Sequence, residues 1–363
     1  MNNEPSSLSV RCLLVGTTLA VCLVILDVSL RLLGQGSRSE WSGFYAQGET
    51  VYSLKTNVAL RCFIGEYHFN VYTCDMGFRC KEPGPRLLGK RAYYMAVGAS
   101  EVFGWGLNYE DTSIGVLAEN LERRGIDLLN AGSIGHNLTM ESATLNRVVT
   151  SAKRPPSVVL IFLNPFDMEM FDKNPGLVIH MGFMYDKNAN WRILYANRIL
   201  NNLLPAWRFF KREFRSLPVL RRADRIDSSY LIMYAKSHPI RVEPRKIDFL
   251  AALTELEGQI RRAGGTPVCI YTPTVGGFIL DKLKAEGKLD NKIFDTQFFP
   301  ELLKAHCEAE GVQFVNFEPI LQQRFDAGVK LNIDSDPHFD APTSRILGEY
   351  LYHELCASNL AVN

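Results

Sequence analysis

Three polar residues stand where the chain should turn out of apolar runs, and their types suit acyl transfer. Ser100 lies in Val97-Gly98-Ala99-Ser100-Glu101-Val102-Phe103-Gly104-Trp105-Gly106, directly after Tyr93-Tyr94-Met95-Ala96. Asn164 lies in Phe162-Leu163-Asn164-Pro165-Phe166-Asp167, and His338 in Asp334-Ser335-Asp336-Pro337-His338-Phe339-Asp340. A serine hydroxyl is a poor nucleophile until a base removes its proton, and an imidazole does this near neutral pH. Asp336 is placed to hold the other ring nitrogen and to favour the imidazolium that forms. The tetrahedral oxyanion then needs donors: the Ser100 amide, the Asn164 side-chain NH₂ and the Gly132 amide, from Asn130-Ala131-Gly132-Ser133-Ile134-Gly135. Loss of one such donor costs on the order of 10²–10³ in rate, so a full set is meaningful.

Taken singly, each residue has a plainer reading. Ser100 and Gly132 are ordinary turn residues, Asn164 before Pro165 is a common turn start, and His338 is placed to cap a helix. Their order along the chain, each at a strand end or before the last helix, favours the catalytic reading. His136 and Glu101 are candidate lining residues of the substrate cleft, His136 being equally suited to packing. Asp167 is expected to cap the turn that follows Asn164. The eight cysteines show no CxxC or Cys/His spacing of a zinc site, and neither a metal nor an organic cofactor is expected. Cys62, Cys74 and Cys80 are near enough in sequence for one disulfide, although buried free cysteine is the commoner state.

These residues need a rigid frame. Apolar runs at Tyr93–Val97, Leu128–Leu129, Val158–Leu163, Val268–Tyr271 and Phe314–Phe317 predict short buried strands. Amphipathic stretches at Ser113–Arg124, Leu138–Ala152, Lys246–Ala263, Pro300–Glu310 and Thr343–Leu355 predict helices among them. This alternation predicts a parallel sheet covered on both faces, a three-layer α/β/α sandwich of flavodoxin-like type over residues 91–357. Ligands of such sheets sit at the carboxyl ends of the strands, where Ser100, Gly132 and Asn164 fall. Residues 34–90 read as a β-rich lead-in, with Glu66–Tyr72 alternating like a strand. Residues 165–245 break the pattern and read as an insertion. Within it, Arg192–Arg222 holds eight Lys/Arg against Glu213 alone, interleaved with aromatics. That segment suits either a solvated helical insertion or the surface of an anionic membrane.

With 363 residues, 47% hydrophobic and 22% charged, the chain can bury one substantial core. A net charge of +1 supplies no field for nucleic acid, and no nucleic-acid partner is expected. After an N-terminal tail (1–11), Cys12–Leu26 carries no charge, and apolar character continues to Leu33. A helix over 12–33 would be roughly 33 Å long, enough to cross a hydrocarbon core. Asp27 and Arg31, four apart, suit its far end, and no A-x-A-type cleavage site precedes Gln35. We therefore expect a single-pass anchor with the remaining chain extracytoplasmic; oligomeric state is open.

The four segments around Ser100, Gly132, Asn164 and His338 resemble the SGNH (GDSL-type) hydrolase family in residue type and order. Val71-Tyr72-Thr73 through Met76-Gly77-Phe78-Arg79 is similar to the N-x-x-G-F-R lead-in of bacterial membrane-anchored members, and Leu30-Arg31-Leu32-Leu33-Gly34 to the end of their anchor. The resemblance implies a serine esterase acting on a small-molecule or glycan ester, and relatives include O-acyltransferases of exported polysaccharides. Three departures stand out. Position 99 is Ala where the family usually has Asp, and Ser335 occupies the usual place of the acid. The final helix starts with Asp340, Thr343 and Ser344 in place of the common pattern. The Asp-x-His spacing of alginate-acetylation relatives favours Asp336 over Asp334 as the acid. A degenerate, non-catalytic member that binds a glycan or a partner is the alternative.

Overall fold

In the computed structural model, the described residues are 7–32, 45–46, 52–64, 67–84, 92–152, 154–170, 177–180, 183–186, 190, 192, 239–287, 295–333 and 336–360. The chain divides into two compact units, 1–40 with 185–225 and 41–184 with 226–363. The first contains helix α1 (Ser7–Leu32), along which Leu14, Val15, Leu19, Val24 and Ile25 are exposed. Counted over its described residues, no helix is long and apolar enough to cross a membrane. Apart from Arg192, the basic stretch Arg192–Arg222 lies outside the described residues, as do Asp334 and Ser335.

The second unit is built on an eight-stranded sheet. Its strands are β3 (Ala59–Ile64), β4 (Tyr67–Thr73), β5 (Arg79–Cys80), β6 (Tyr93–Val97), β7 (Asp127–Asn130), β8 (Val158–Leu163), β11 (Thr266–Tyr271) and β12 (Gln313–Asn316). Short pairs β1/β2 (Tyr45–Ala46, Ser53–Leu54) and β9/β10 (Leu177–His180, Phe183–Asp186) stand apart from it. The sheet order is β12-β11-β8-β6-β7-β5-β4-β3. Pairing is parallel from β12 to β7, as expected. Beyond β7 it turns antiparallel, with Arg79 opposite Asn130. The expected all-parallel sheet is therefore mixed, because three strands of the β-rich lead-in extend it.

Alternation along the central strands makes the three layers. Tyr93, Met95, Val97, Val159, Ile161 and Leu163 point to one face, under helices α4 (Leu138–Ser151), α6 (Pro239–Arg262) and α8 (Phe298–Glu310). Tyr94, Ala96, Leu160, Phe162, Val268 and Ile270 point to the other, under α3 (Ser113–Glu122), α7 (Val275–Ala285) and α10 (Ala341–Ala357). Three neighbouring strands, β8-β6-β7, end side by side. The chain leaves β6 for β7 on one side and returns to β8 on the other, so their carboxyl ends form a switch-point crevice.

Candidate active site

Ser100 opens α2 (Ser100–Phe103), a single turn that Gly104 closes with its N–H on the Ser100 carbonyl. The approach from β6 requires glycine. Gly98 has φ +151°, and a Cβ there would stand 2.5 Å from Val102 and 3.0 Å from Phe162. The turn is braced from two sides. Buried Asn130 donates through Nδ2 to the Val102 carbonyl (2.8 Å). Buried Arg79 donates to the carbonyls of Phe103, Gly104 and Leu107, and its guanidinium lies 4.7 Å over the Phe103 ring. Burial lowers the Arg79 pKa to about 10, against the raising influence of Tyr109 and other neighbours, so the group remains a cation at neutral pH.

Asn164 follows β8. Its Oδ1 accepts from the Phe166 N–H (2.8 Å), which orients the carboxamide and leaves the Nδ2 donor for the cleft that Asn164 lines. Asp167 closes the turn that follows Asn164, from the third position of the helix Pro165–Met170. Its Oδ2 accepts from the Asn164 N–H (2.6 Å) and so fixes the turn from below.

Gly132 is a correction. Its N–H donates to Asn130 Oδ1 (3.1 Å), and a Cβ there would meet Phe103 N and Val102 at 2.6 Å. Gly132 is therefore a packing glycine under α2, with its amide already engaged. Gly135, three residues on, lines the cleft with φ +74°.

His338 sits between β12 and α10. Its Nδ1 is 2.5 Å from Asp336 Oδ1, and its backbone N–H donates to the same oxygen (3.0 Å). The two side chains are 20% and 15% exposed. Burial by itself would raise the Asp336 pKa; hydrogen bonds from the His338 ring and amide and from the Trp105 side chain outweigh it and hold the carboxyl below its ordinary value. Asp340, rather than His338, caps α10, accepting from the Thr343 N–H (2.9 Å). With Nδ1 bound to an ionised Asp336, His338 Nε2 is the end free to take a proton.

Ser100 and His338 line the same cleft, of about 280 Å³, together with Gly135, His136 and Asn164. They also share a much smaller apolar recess of about 20 Å³, walled by Trp105, Phe162, Phe317 and Leu347. The Ser100 hydroxyl hydrogen-bonds Glu101 Oε2 at 3.4 Å, and Glu101 lines both spaces. His136 lines the cleft but is buried, with Nε2 on the Tyr52 carbonyl (3.2 Å) and its ring 5.1 Å from that of Tyr52. Burial lowers its pKa to about 4, more than the Tyr52 carbonyl raises it, so it is neutral at pH 7. Beneath Asn164, burial raises Asp167 to about 8, opposed by its bond from Asn164 and aided by Glu101. Glu141, also buried, is pushed well above the carboxylate range by burial and by Asp167. Among the described residues no group of three or more His, Cys, Asp or Glu is arranged to hold a metal ion. Cys62, Cys74 and Cys80 are buried, and none of the three is in a disulfide.

No protein-family model matches the chain, and no curated protein matches it. Solved structures do. The chain is similar to esterases of the lipolytic G-D-S-L type. A lipolytic G-D-S-L family protein from Veillonella parvula is 12% identical, covering 73% of this chain and 98% of that one, with a TM-score of 0.39. A psychrotrophic esterase from Pseudoalteromonas sp. is 12% identical over 73% and 97%, at 0.40. An acetylxylan esterase from Geobacillus stearothermophilus is 11% identical over 74% and 96%, at 0.40. At that distance the weight falls on the residues of the site.

Neither Trp105 nor Gly135 was selected by the sequence reading. A second glycine in the Asn130–Gly135 loop is the only signal for one, and nothing in the sequence places the Trp105 ring 6.4 Å from that of His338.

Proposed function

We propose that this chain is a serine esterase that cleaves an O-acyl ester, of a glycan or lipid, through a Ser100 acyl-enzyme. One observation carries the reading: Ser100, Asn164 and an Asp336-bound His338 face one cleft beyond the ends of adjacent strands. His338 Nε2 takes the Ser100 proton as Oγ attacks the acyl carbonyl. The oxyanion draws on Asn164 Nδ2 and the Ser100 and Gly135 amides. Collapse breaks the ester C–O bond, and the proton on His338 passes to the departing alkoxide. Water then repeats the sequence on the acyl-enzyme. The recess of about 20 Å³ beside Ser100 favours a small acyl group, and the larger cleft an alcohol of sugar size. The size of that cleft also supports a sugar hydroxyl in place of water, which makes the enzyme an O-acyltransferase.

The 3.4 Å bond from Ser100 to Glu101 is the observation that favours a binding protein. Catalytic hydrogen bonds are commonly loose before substrate binds, and rotation about the Ser100 side chain redirects the hydroxyl. Hydrolysis of p-nitrophenyl acetate, butyrate and octanoate decides between them. Acetate should react at least about tenfold faster than octanoate, and Ser100→Ala should abolish all three; no reaction with any ester contradicts the reading.

We also propose, on the run of exposed apolar residues along α1 alone, that this helix holds the protein to a membrane. The chain should stay with membranes through alkaline carbonate extraction, and release into the supernatant contradicts the anchor.

A further inference from the structure

We propose that Tyr52 is a positioning residue of the oxyanion site, its hydroxyl fixing the Ile134–Gly135 peptide so that the Gly135 N–H is presented to the cleft. This rests on the ester-chemistry reading of the same site. The loop after β7 is pinned on either side of that peptide. The Ser133 N–H donates to the carbonyl of Gly98, just after β6 (3.1 Å), and the His136 N–H closes a turn on the Ser133 carbonyl (3.1 Å). Gly135, at φ +74°, is the third residue of that turn and makes it type II. Types I and II differ by a flip of the central peptide, here Ile134–Gly135, and neither of those two bonds involves its C=O or its N–H.

Tyr52 supplies the missing restraint. Its hydroxyl donates to the Ile134 carbonyl at 2.7 Å. A trans peptide is planar, with C=O and N–H on opposite edges, so a carbonyl held on Tyr52 turns the Gly135 N–H away from it. Gly135 lines the cleft with Ser100 and Asn164, while Tyr52 is buried behind the loop. A donor on the carbonyl also polarises the peptide and strengthens its N–H as a donor. The grip extends to the next residue: the Tyr52 carbonyl accepts from His136 Nε2 (3.2 Å), and the two rings meet edge-on at 5.1 Å. A Cβ at position 135 would stand 3.0 Å from the Tyr52 hydroxyl, so glycine serves both the positive φ and the close approach. Tyr52 is anchored in turn by the lead-in. It stands just before β2, its ring 5.5 Å edge-on from Tyr45, in a cluster with Leu54, Phe69, Val71 and Phe103. The lead-in thus sets a donor in a cleft that it does not itself line.

Tyr52→Phe in the full chain tests this, because it keeps the ring and its packing and removes the hydroxyl. It should lower kcat for p-nitrophenyl acetate roughly 10- to 100-fold, between the loss of one hydrogen bond and of an oxyanion donor, with KM within about threefold. Labelling by a fluorophosphonate should slow in proportion, since that attack builds charge at the same place. The acid limb of kcat/KM should stay where it is, because His338 and Asp336 are untouched. A folded variant with unchanged kcat and labelling rate overturns the proposal. So does one in which KM rises and kcat does not fall, which reads as a loosened cleft. If Tyr52→Phe does not fold, a crystal structure of the phosphonylated parent decides. A phosphonyl oxygen should lie within hydrogen-bond distance of the Gly135 N–H, with Tyr52 on the Ile134 carbonyl; an adduct whose oxygens avoid Gly135 overturns the proposal. A parent that hydrolyses no ester and takes no label fails the ester reading, and the proposal with it. Hydrolysis lost in Ser100→Ala but unchanged in Tyr52→Phe fails the proposal alone.

Discussion

The two walls of the cleft are built by different means. The serine wall is a product of long-range packing. Ser100 follows a strand buried along its whole length, and Asn130 and Arg79, distant in sequence, clamp the turn behind it. The histidine wall is held locally. Asn332 donates to the Asp336 carbonyl (2.9 Å), the Ile333 N–H bonds the His338 carbonyl (3.0 Å), and Asp336 reaches forward two residues to His338. A nucleophile must not move, because its attack geometry is set by fixed oxyanion donors. A general base must shift slightly between proton acceptor and donor, which a short hydrogen-bonded loop permits. The Trp105 ring, just after α2, lies 6.4 Å from that of His338.

Breaking the local wall should cost activity and little stability. His338→Ala should lower kcat by on the order of 10⁴–10⁶, while its unfolding free energy stays within about 1 kcal/mol of the parent in urea titrations. Asn164→Ala, on the strand-end side, should lower kcat about 10²–10³ with KM little changed, in steady-state assays. Gly132→Ala tests the correction on the oxyanion loop. A Cβ against Phe103 N and Val102 should destabilise the fold by about 1–3 kcal/mol or more, seen as a lower Tm, through overpacking rather than loss of a donor.

Asp167 sharpens the comparison through pH. Its folded pKa, raised to about 8, lies above the ordinary value of 3.8, so the folded state binds the extra proton between these limits. Its contribution to stability is full below about 4 and is lost as pH rises towards 8. Asp167→Asn, which keeps an acceptor for the Asn164 N–H, should therefore gain on the parent in thermal melts as pH goes from 5 to 8, by a few degrees. The neutral His136 opposes this slope between pH 6.5 and 4, where its depressed pKa makes stability fall with falling pH.

The central strands were legible because they are short, wholly apolar and bounded by turns: β6 and β8 begin and end where their apolar runs do. The helices Val275–Ala285 and Glu318–Asp326 escaped notice, the first because it opens Val275-Gly276-Gly277, the second because Pro319 stands in its first turn. Strand β5 is two residues long, and its pairing of Arg79 with Asn130 depends on a partner about fifty residues away that no local pattern announces. Type and order single out Ser100, Asn164, His338 and Asp336 as candidates, and the fold brings the first three to one cleft with Asp336 bonded to His338. The choice between Gly132 and Gly135 could not be read that way, because it turns on which amide Asn130 consumes. Trp105 was hidden for the same reason, the approach of its ring to that of His338 being a product of the tertiary fold.

Fluorophosphonate labelling of the full chain, with Ser100→Ala and His338→Ala alongside, tests the central claim most directly. The account predicts a covalent adduct on Ser100 in the parent protein and none in either variant. A folded parent that takes no label, or labelling that survives loss of His338, contradicts an activated Ser100.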